Sequence, residues 1–151
     1  MASDDRSRSL PSAARGSLAV AALLFTLGIS ACGSSKPTVV GSWTLSSFTY
    51  RATTVEAATP PATIEFAKDG KVTGNTGCNQ FGGRWTTDAT ELRFSAIGLT
   101  SRACNDSNGS LTAQESAMEL TFSRPQTYSI DGNRLTIGNA DGSVSATFTR
   151  A

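Results

Sequence analysis

The sequence predicts an α+β fold, a small curved, mostly antiparallel β-sheet or partial barrel with one α-helix. Three observations predict it. Seven or eight short segments alternate apolar and polar residues at period two, as strands with one buried face do. Turn signals such as Asp69-Gly70, Asp131-Gly132-Asn133 and Asp141-Gly142 separate several of them. One longer segment, Leu111 to Ser123, is free of glycine and proline and opens on a helix-start pattern.

Ahead of that domain stands a segment of different character. Arg6, Arg8 and Arg15 give a basic start, diluted by Asp4 and Asp5. An apolar run from Leu18 to Ile29 follows. About twelve residues make roughly 18 Å of helix, against ~30 Å of bilayer core, so the run has signal-peptide proportions. Ile29-Ser30-Ala31-Cys32 then reads as a lipobox. Small side chains let a processing enzyme approach the backbone, and the thiol of Cys32 accepts a diacylglycerol. Residues 1–31 are thus expected to be a lipoprotein signal peptide, and 32–38 a flexible tether from lipidated Cys32. The tether contains Gly33-Ser34-Ser35-Lys36-Pro37, which is polar and flexible. The domain itself spans 39–151. This places the protein outside the cytoplasm, lipid-anchored to the cell membrane or the outer membrane.

From Cys32 onward the chain holds ten basic and ten acidic residues. A neutral chain without a lysine or arginine cluster gives no electrostatic case for nucleic acid. Cys78 and Cys104 are the two cysteines left after Cys32. In an exported domain an even pair reads as a disulfide, with a metal pair or a reactive thiol as alternatives. Metal binding lacks support here, because the chain has no histidine, no CxxC and no further cysteine.

Along the domain, Gly41 to Phe48 reads as the first strand, with Trp43 and Leu45 on one face. Thr53 to Pro61 reads as loop. Thr63 to Phe66 alternates, Lys68 to Lys71 turns, and Val72 to Gly74 returns. Gly74 to Gly83 packs four glycines into ten residues, around Cys78 and Phe81, and permits sharp bends. Arg84-Trp85-Thr86 and Leu92-Arg93-Phe94 are two further strands around a turn near Asp88. Ile97 to Cys104 leads into a polar loop, Asn105 to Gly109. In the helix segment, Thr112 and Glu115 have capping-box spacing. Leu111, Met118 and Phe122 share one helical face, Leu120 points away, and a strand from Met118 is the competing reading. Pro125 ends the element. Thr127 to Ile130 and Arg134 to Ile137 form a hairpin, and Val144, Ala146 and Phe148 alternate in the last strand.

The chemistry on offer is sparse. Histidine is absent, and with it the Ser-His and Cys-His nucleophile systems. No GxSxG, HExxH or SxxK pattern occurs, and Gly74-Asn75-Thr76-Gly77 lacks the Lys-Ser/Thr ending of a phosphate loop. Glu65, Asp69 and Glu91 are the carboxylates that an acid/base pair would draw on, and solvated strand faces explain them better. Trp43, Trp85, Phe81 and Tyr128 read as core before ligand cavity, with Phe81, between glycines, the one expected to be partly exposed.

Phe66, Asp69-Gly70, Gly74, Gly77-Cys78-Asn79, Phe81 and Gly83 resemble the first half of the META domain, the HslJ-like family. Thr100-Ser101-Arg102-Ala103-Cys104, Glu115, Tyr128 and Leu135 resemble its second half, and Trp43 fits its opening strand. The family pattern is Thr-Arg-x-x-Cys; here a serine precedes Arg102. The resemblance spans about Val40 to Arg150. It implies an α+β fold with a curved antiparallel sheet, pairing of Cys78 with Cys104, envelope location and an association with heat shock and stress tolerance. It supplies no catalytic residues and no cofactor. Gly77, Asn79, Phe81 and Gly83 form the loop offered for structure or binding, with the Asn79 side chain tying the glycine segment to itself.

The resulting expectation is a non-enzymatic binding or structural module of the cell envelope, whose partner is an envelope protein or a small ligand. An inhibitor of an envelope-directed hydrolase is the first alternative, with Asn105 to Gly109 as its plugging loop. A small hydrolase using a carboxylate pair is the second.

Overall fold

The computed structural model describes residues 38–88 and 90–151. The signal peptide, Cys32 and the tether through residue 37 lie outside the described residues. The strands are β1 (Gly41–Tyr50), β2 (Thr53–Glu56), β3 (Thr63–Phe66), β4 (Lys71–Asn75), β5 (Gln80–Asp88) and β6 (Glu91–Leu99). Helix α1 (Ser110–Phe122) precedes β7 (Gln126–Asp131), β8 (Arg134–Gly138) and β9 (Ser145–Arg150).

The curved sheet closes on itself. Its order runs β1-β3-β4-β5-β6-β7-β8-β9, and β9 pairs back with β1, so eight antiparallel strands form a barrel. β2 is an extra strand that continues the β3 edge along β1. In an up-and-down barrel the connections alternate between ends. One end holds the start of β1, the β3–β4, β5–β6 and β7–β8 turns and the last residue of β9. The other holds the β1–β2 turn, the β4–β5 loop, the segments flanking α1 and the β8–β9 turn.

Two bulges set which side chains face inward. Along β1 the register against β9 shifts between Leu45 and Ser47, leaving Ser46 as the extra residue. Its hydroxyl donates to the Thr147 carbonyl at 2.9 Å. The inward set is therefore Trp43, Leu45 and then Phe48, a step of three where a regular strand gives two. In β6 the register shifts opposite Gly82 and Arg84, with Ala96 at φ 52°. Phe94 and Ile97 are again three apart and both pack on the core. Gly83 permits this bulge: a Cβ there would meet the Ser95 carbonyl at 2.9 Å and the Ala96 carbonyl at 3.0 Å.

The interior is filled by side chains. Trp43, Ile64, Phe66, Val72, Leu92, Leu135, Ile137 and Phe148 are buried from the strands, and Ala117, Met118 and Phe122 from α1. Phe122 lies 4.5 Å from Phe81 and 5.1 Å from Phe94, centroid to centroid, so the helix joins the aromatic part of the core. The buried Trp43 indole donates to the Val39 carbonyl at 2.7 Å and carries the Arg150 guanidinium 4.1 Å over its ring.

Several sequence expectations are corrected. Thr53 to Pro61 is not all loop, because β2 pairs with the end of β1, which runs on to Tyr50. The turn between them uses Arg51 and Ala52 at positive φ, residues that give no turn signal. β5 and β6 are nine residues each, so most of the glycine segment is strand, and β6 runs on through Ile97 to end at Leu99. Phe81 is 5% exposed and belongs to the core. The expected helix, by contrast, continues through Met118 to Phe122, and Leu120 faces outward as its spacing predicts.

Phe122→Ala should lower stability by about 3–5 kcal/mol, since the cavity would open between two rings. Leu120→Ala, on the same helix but 42% exposed, should cost no more than about 0.5 kcal/mol. Urea melts of the two variants against wild type check the contrast.

Candidate functional site

The β4–β5 loop, the segment after β6 and the first turns of α1 meet at the loop-bearing end of the barrel, and Asn79 is where they join. Its Oδ1 accepts from Thr100 Oγ1 and from the Arg102 N–H, both at 2.8 Å. Its Nδ2 donates to the Arg102 carbonyl at 2.9 Å and to Glu115 Oε1 at 2.7 Å. All four hydrogen bonds of a buried amide are made. The Asn79 N–H donates to Thr76 Oγ1 at 2.9 Å, while the Asn79 carbonyl accepts the Thr76 N–H at 2.7 Å, which closes the glycine loop.

Gln114, fully buried one residue before Glu115, braces the same loop from the helix. Its Nε2 donates to the Thr76 carbonyl at 2.7 Å and its Oε1 accepts the Ala58 N–H at 2.8 Å. Gly77, at φ 95°, lies under this amide and beside the Pro60 carbonyl, where a side chain has no room. Its N–H donates to Asn75 Oδ1 at 2.6 Å.

Cys78 and Cys104 form a disulfide. Cys78 is buried and Cys104 half-buried. Arg102 Nη2 donates to the Cys78 carbonyl at 2.6 Å. Glu115 Oε2 lies 2.7 Å from Cys104 Sγ. A disulfide sulfur carries no hydrogen, so that contact has no donor. Beside the bridge, Asn75, Cys78, Gln80, Thr100 and Arg102 line an open cleft of about 260 Å³.

Of the loop residues singled out in the sequence, Gly77 and Asn79 sit in this cluster, while Phe81 and Gly83 serve the core and the bulge. Glu115 is part of the cluster, but not as a helix cap. Thr112 reaches the Cys104 carbonyl, and Glu115 faces Asn79, so the expected capping box is not formed. Asp106 caps the helix instead. Its Oδ2 accepts the Leu111 N–H and the Ser110 hydroxyl, each at 2.9 Å. The Leu111 N–H, helped by Ser110, holds the Asp106 carboxyl below its ordinary value. Sequence reasoning missed Asp106 and Gln114. Asp106 stands three residues before Gly109, the residue at the cap position, and Gln114 is a polar residue on a buried helical face. The three carboxylates offered for acid/base work stay apart. Asp69 pairs with Lys71, Glu91 with Arg93, and Glu65 is exposed on β3. The four aromatics do not share a cavity either. Trp43 and Tyr128 border different surface clefts, of about 160 and 480 Å³.

The family model described as the META domain matches residues 37–151. No curated protein matches the sequence. Among solved structures, an NMR structure of a protein from Burkholderia xenovorans is 22% identical. It covers 74% of this chain and 81% of its own, with a TM-score of 0.57. A crystal structure of a DUF4847 family protein from Bacteroides vulgatus is 16% identical over 74% of this chain and 93% of that one, with a TM-score of 0.51. At these identities the likeness concerns the fold.

Because the folded-state pKa of Asp106 is depressed, its contribution to stability is present above the ordinary value of 3.8 and is lost as pH falls through the lower folded value. Asp106→Asn mimics the protonated group. Wild type should therefore be more stable than the variant near neutral pH, and the two should converge as pH falls below 3.8. Thermal melts across that range check it.

Proposed function

The chain belongs to the META domain family, and on that premise we propose that it works as an exported, lipid-anchored module of the cell envelope. In this reading it binds a protein partner or a small ligand and catalyses no reaction. One observation carries the proposal: β1 begins at one end of the barrel, and the glycine loop, the disulfide and the segments flanking α1 gather at the other. A tether on Cys32 would leave that second end facing away from the membrane. The buried polar side chains serve the architecture of this end. Thr76, Asn79 and Gln114 engage backbone groups and hold loops in place. The cleft beside Arg102 is lined by that cation, the Thr100 hydroxyl and the Asn75 and Gln80 amides, groups suited to a polar partner. The resemblance to HslJ-like proteins makes heat-shock or envelope stress the setting in which the partner is sought.

A second reading, inhibition of an envelope-directed hydrolase, is favoured by one feature. The Asn105–Gly109 loop is exposed at most of its positions yet held at both ends, by the bridge at Cys104 and by Asp106 on α1.

The test pairs anchoring with contact. Cys32→Ser should abolish acylation and release the protein from the membrane fraction. In cells carrying the acylated form, a photo-crosslinker at Asn105 should capture a partner, and one at Asn133, in the opposite β7–β8 turn, should not. Equal capture from both positions would sink the proposed orientation. An acyl-free mature protein beginning elsewhere than Cys32 would sink the anchor. Capture of a hydrolase whose activity falls on binding would select the second reading.

A further inference from the structure

The contact between Glu115 and Cys104 leaves a carboxylate oxygen, Oε2, against a sulfur that has no hydrogen to give. Its sister oxygen is fully engaged, taking Asn79 Nδ2 at 2.7 Å and lying 3.3 Å from Thr76 Oγ1. The carboxylate is thus oriented by its neighbours so that one oxygen points at the bridge. Cys78 Sγ, Cys104 Sγ and a Glu115 oxygen all lie within 4.8 Å of one another.

From this geometry we propose that reduction of the Cys78–Cys104 bridge creates a binding site for a thiophilic divalent cation, with the two thiolates and Glu115 Oε2 as ligands. Zinc is the test ion. Zinc–sulfur bonds of about 2.3 Å and zinc–oxygen bonds of about 2.0–2.2 Å suit this donor set. The two Cα atoms are 5.6 Å apart, so side-chain rotation can separate the sulfurs to the edge of a tetrahedron. Water takes the fourth position. Asn79 does for the carboxylate what outer-shell partners do in metal sites, fixing the orientation of a ligand through its second atom. Two thiolates and a carboxylate outweigh the charge of the ion by one, and Arg102, bound to the Cys78 carbonyl, supplies a cation nearby.

The chemistry balances with a phosphine as reductant. The phosphine and one water become phosphine oxide, and the disulfide takes up two electrons and two protons to give two thiols. Zinc then displaces both thiol protons into solvent. The proposal stands apart from the partner-binding reading, because it concerns the bridge and not what the module contacts.

The test uses the full chain in non-ionic detergent with Cys32→Ser, which removes the third thiol. After phosphine reduction it should bind one zinc ion, release protons and gain Tm; the oxidised form should do none of these. Cadmium should give a thiolate charge-transfer band in the reduced form alone. Glu115→Gln should weaken zinc by at least about tenfold, since loss of even outer-shell contacts costs roughly 10–100-fold. Glu115→Asp should restore part of the loss. Circular dichroism of the oxidised variants establishes that they fold. Zinc binding equal in the reduced chain and in a Cys78→Ser/Cys104→Ser variant would overturn the proposal. So would full affinity in Glu115→Gln, or a reduced chain that zinc does not stabilise.

Discussion

A single buried amide, that of Asn79, decides how the loop-bearing end of this barrel is built. It joins the β4–β5 loop to the segment after β6 and to α1, using both lone-pair directions of its oxygen and both hydrogens of its nitrogen. Those partners lie 21 to 36 residues away in sequence. Leaving any one of them unpaired in a buried setting costs about 1–3 kcal/mol. The disulfide runs between the same two segments with a sequence separation of 26, and its loop-closure contribution is about 3–4 kcal/mol. Bridge and amide therefore do the same positional work by different physics. The bridge restricts the unfolded chain, and the amide selects one folded arrangement.

The rest of the site follows from that arrangement. With Arg102 fixed on both its N–H and its carbonyl, its guanidinium reaches the Cys78 carbonyl and borders the adjoining cleft. With Glu115 turned toward Asn79, it is withdrawn from the helix N-terminus, and Asp106 takes over the capping role from outside the helix. A negative group near the first turn complements the helix dipole from either position. Gln114 then closes the arrangement from below, joining the helix to Ala58 and Thr76.

Much of the fold was legible in the sequence, because its signals are local. The β7–β8 hairpin carries its turn residues at Gly132 and Asn133, and β3 and β4 are marked by alternation and by Asp69-Gly70. Cys78, Cys104 and Asn79 stood out through their motif. What was hidden depends on contacts distant in sequence. β2 is a strand because β1 offers it an edge, and nothing in Thr53–Glu56 distinguishes it from an exposed loop. The inward turn of Phe81 depends on closure of the barrel against Phe122. Glu115 satisfied a local capping pattern, yet the distant Asn79 amide competes for it and wins.

Amide hydrogen exchange at the Arg102 N–H, which donates to Asn79 Oδ1, tests most directly whether Asn79 holds this end together independently of the bridge. The account predicts that protection of this amide survives reduction of the disulfide in the wild-type chain and is lost in Asn79→Ala with the disulfide intact. Protection lost on reduction and kept in Asn79→Ala would contradict it, and would make the bridge the element on which the site depends.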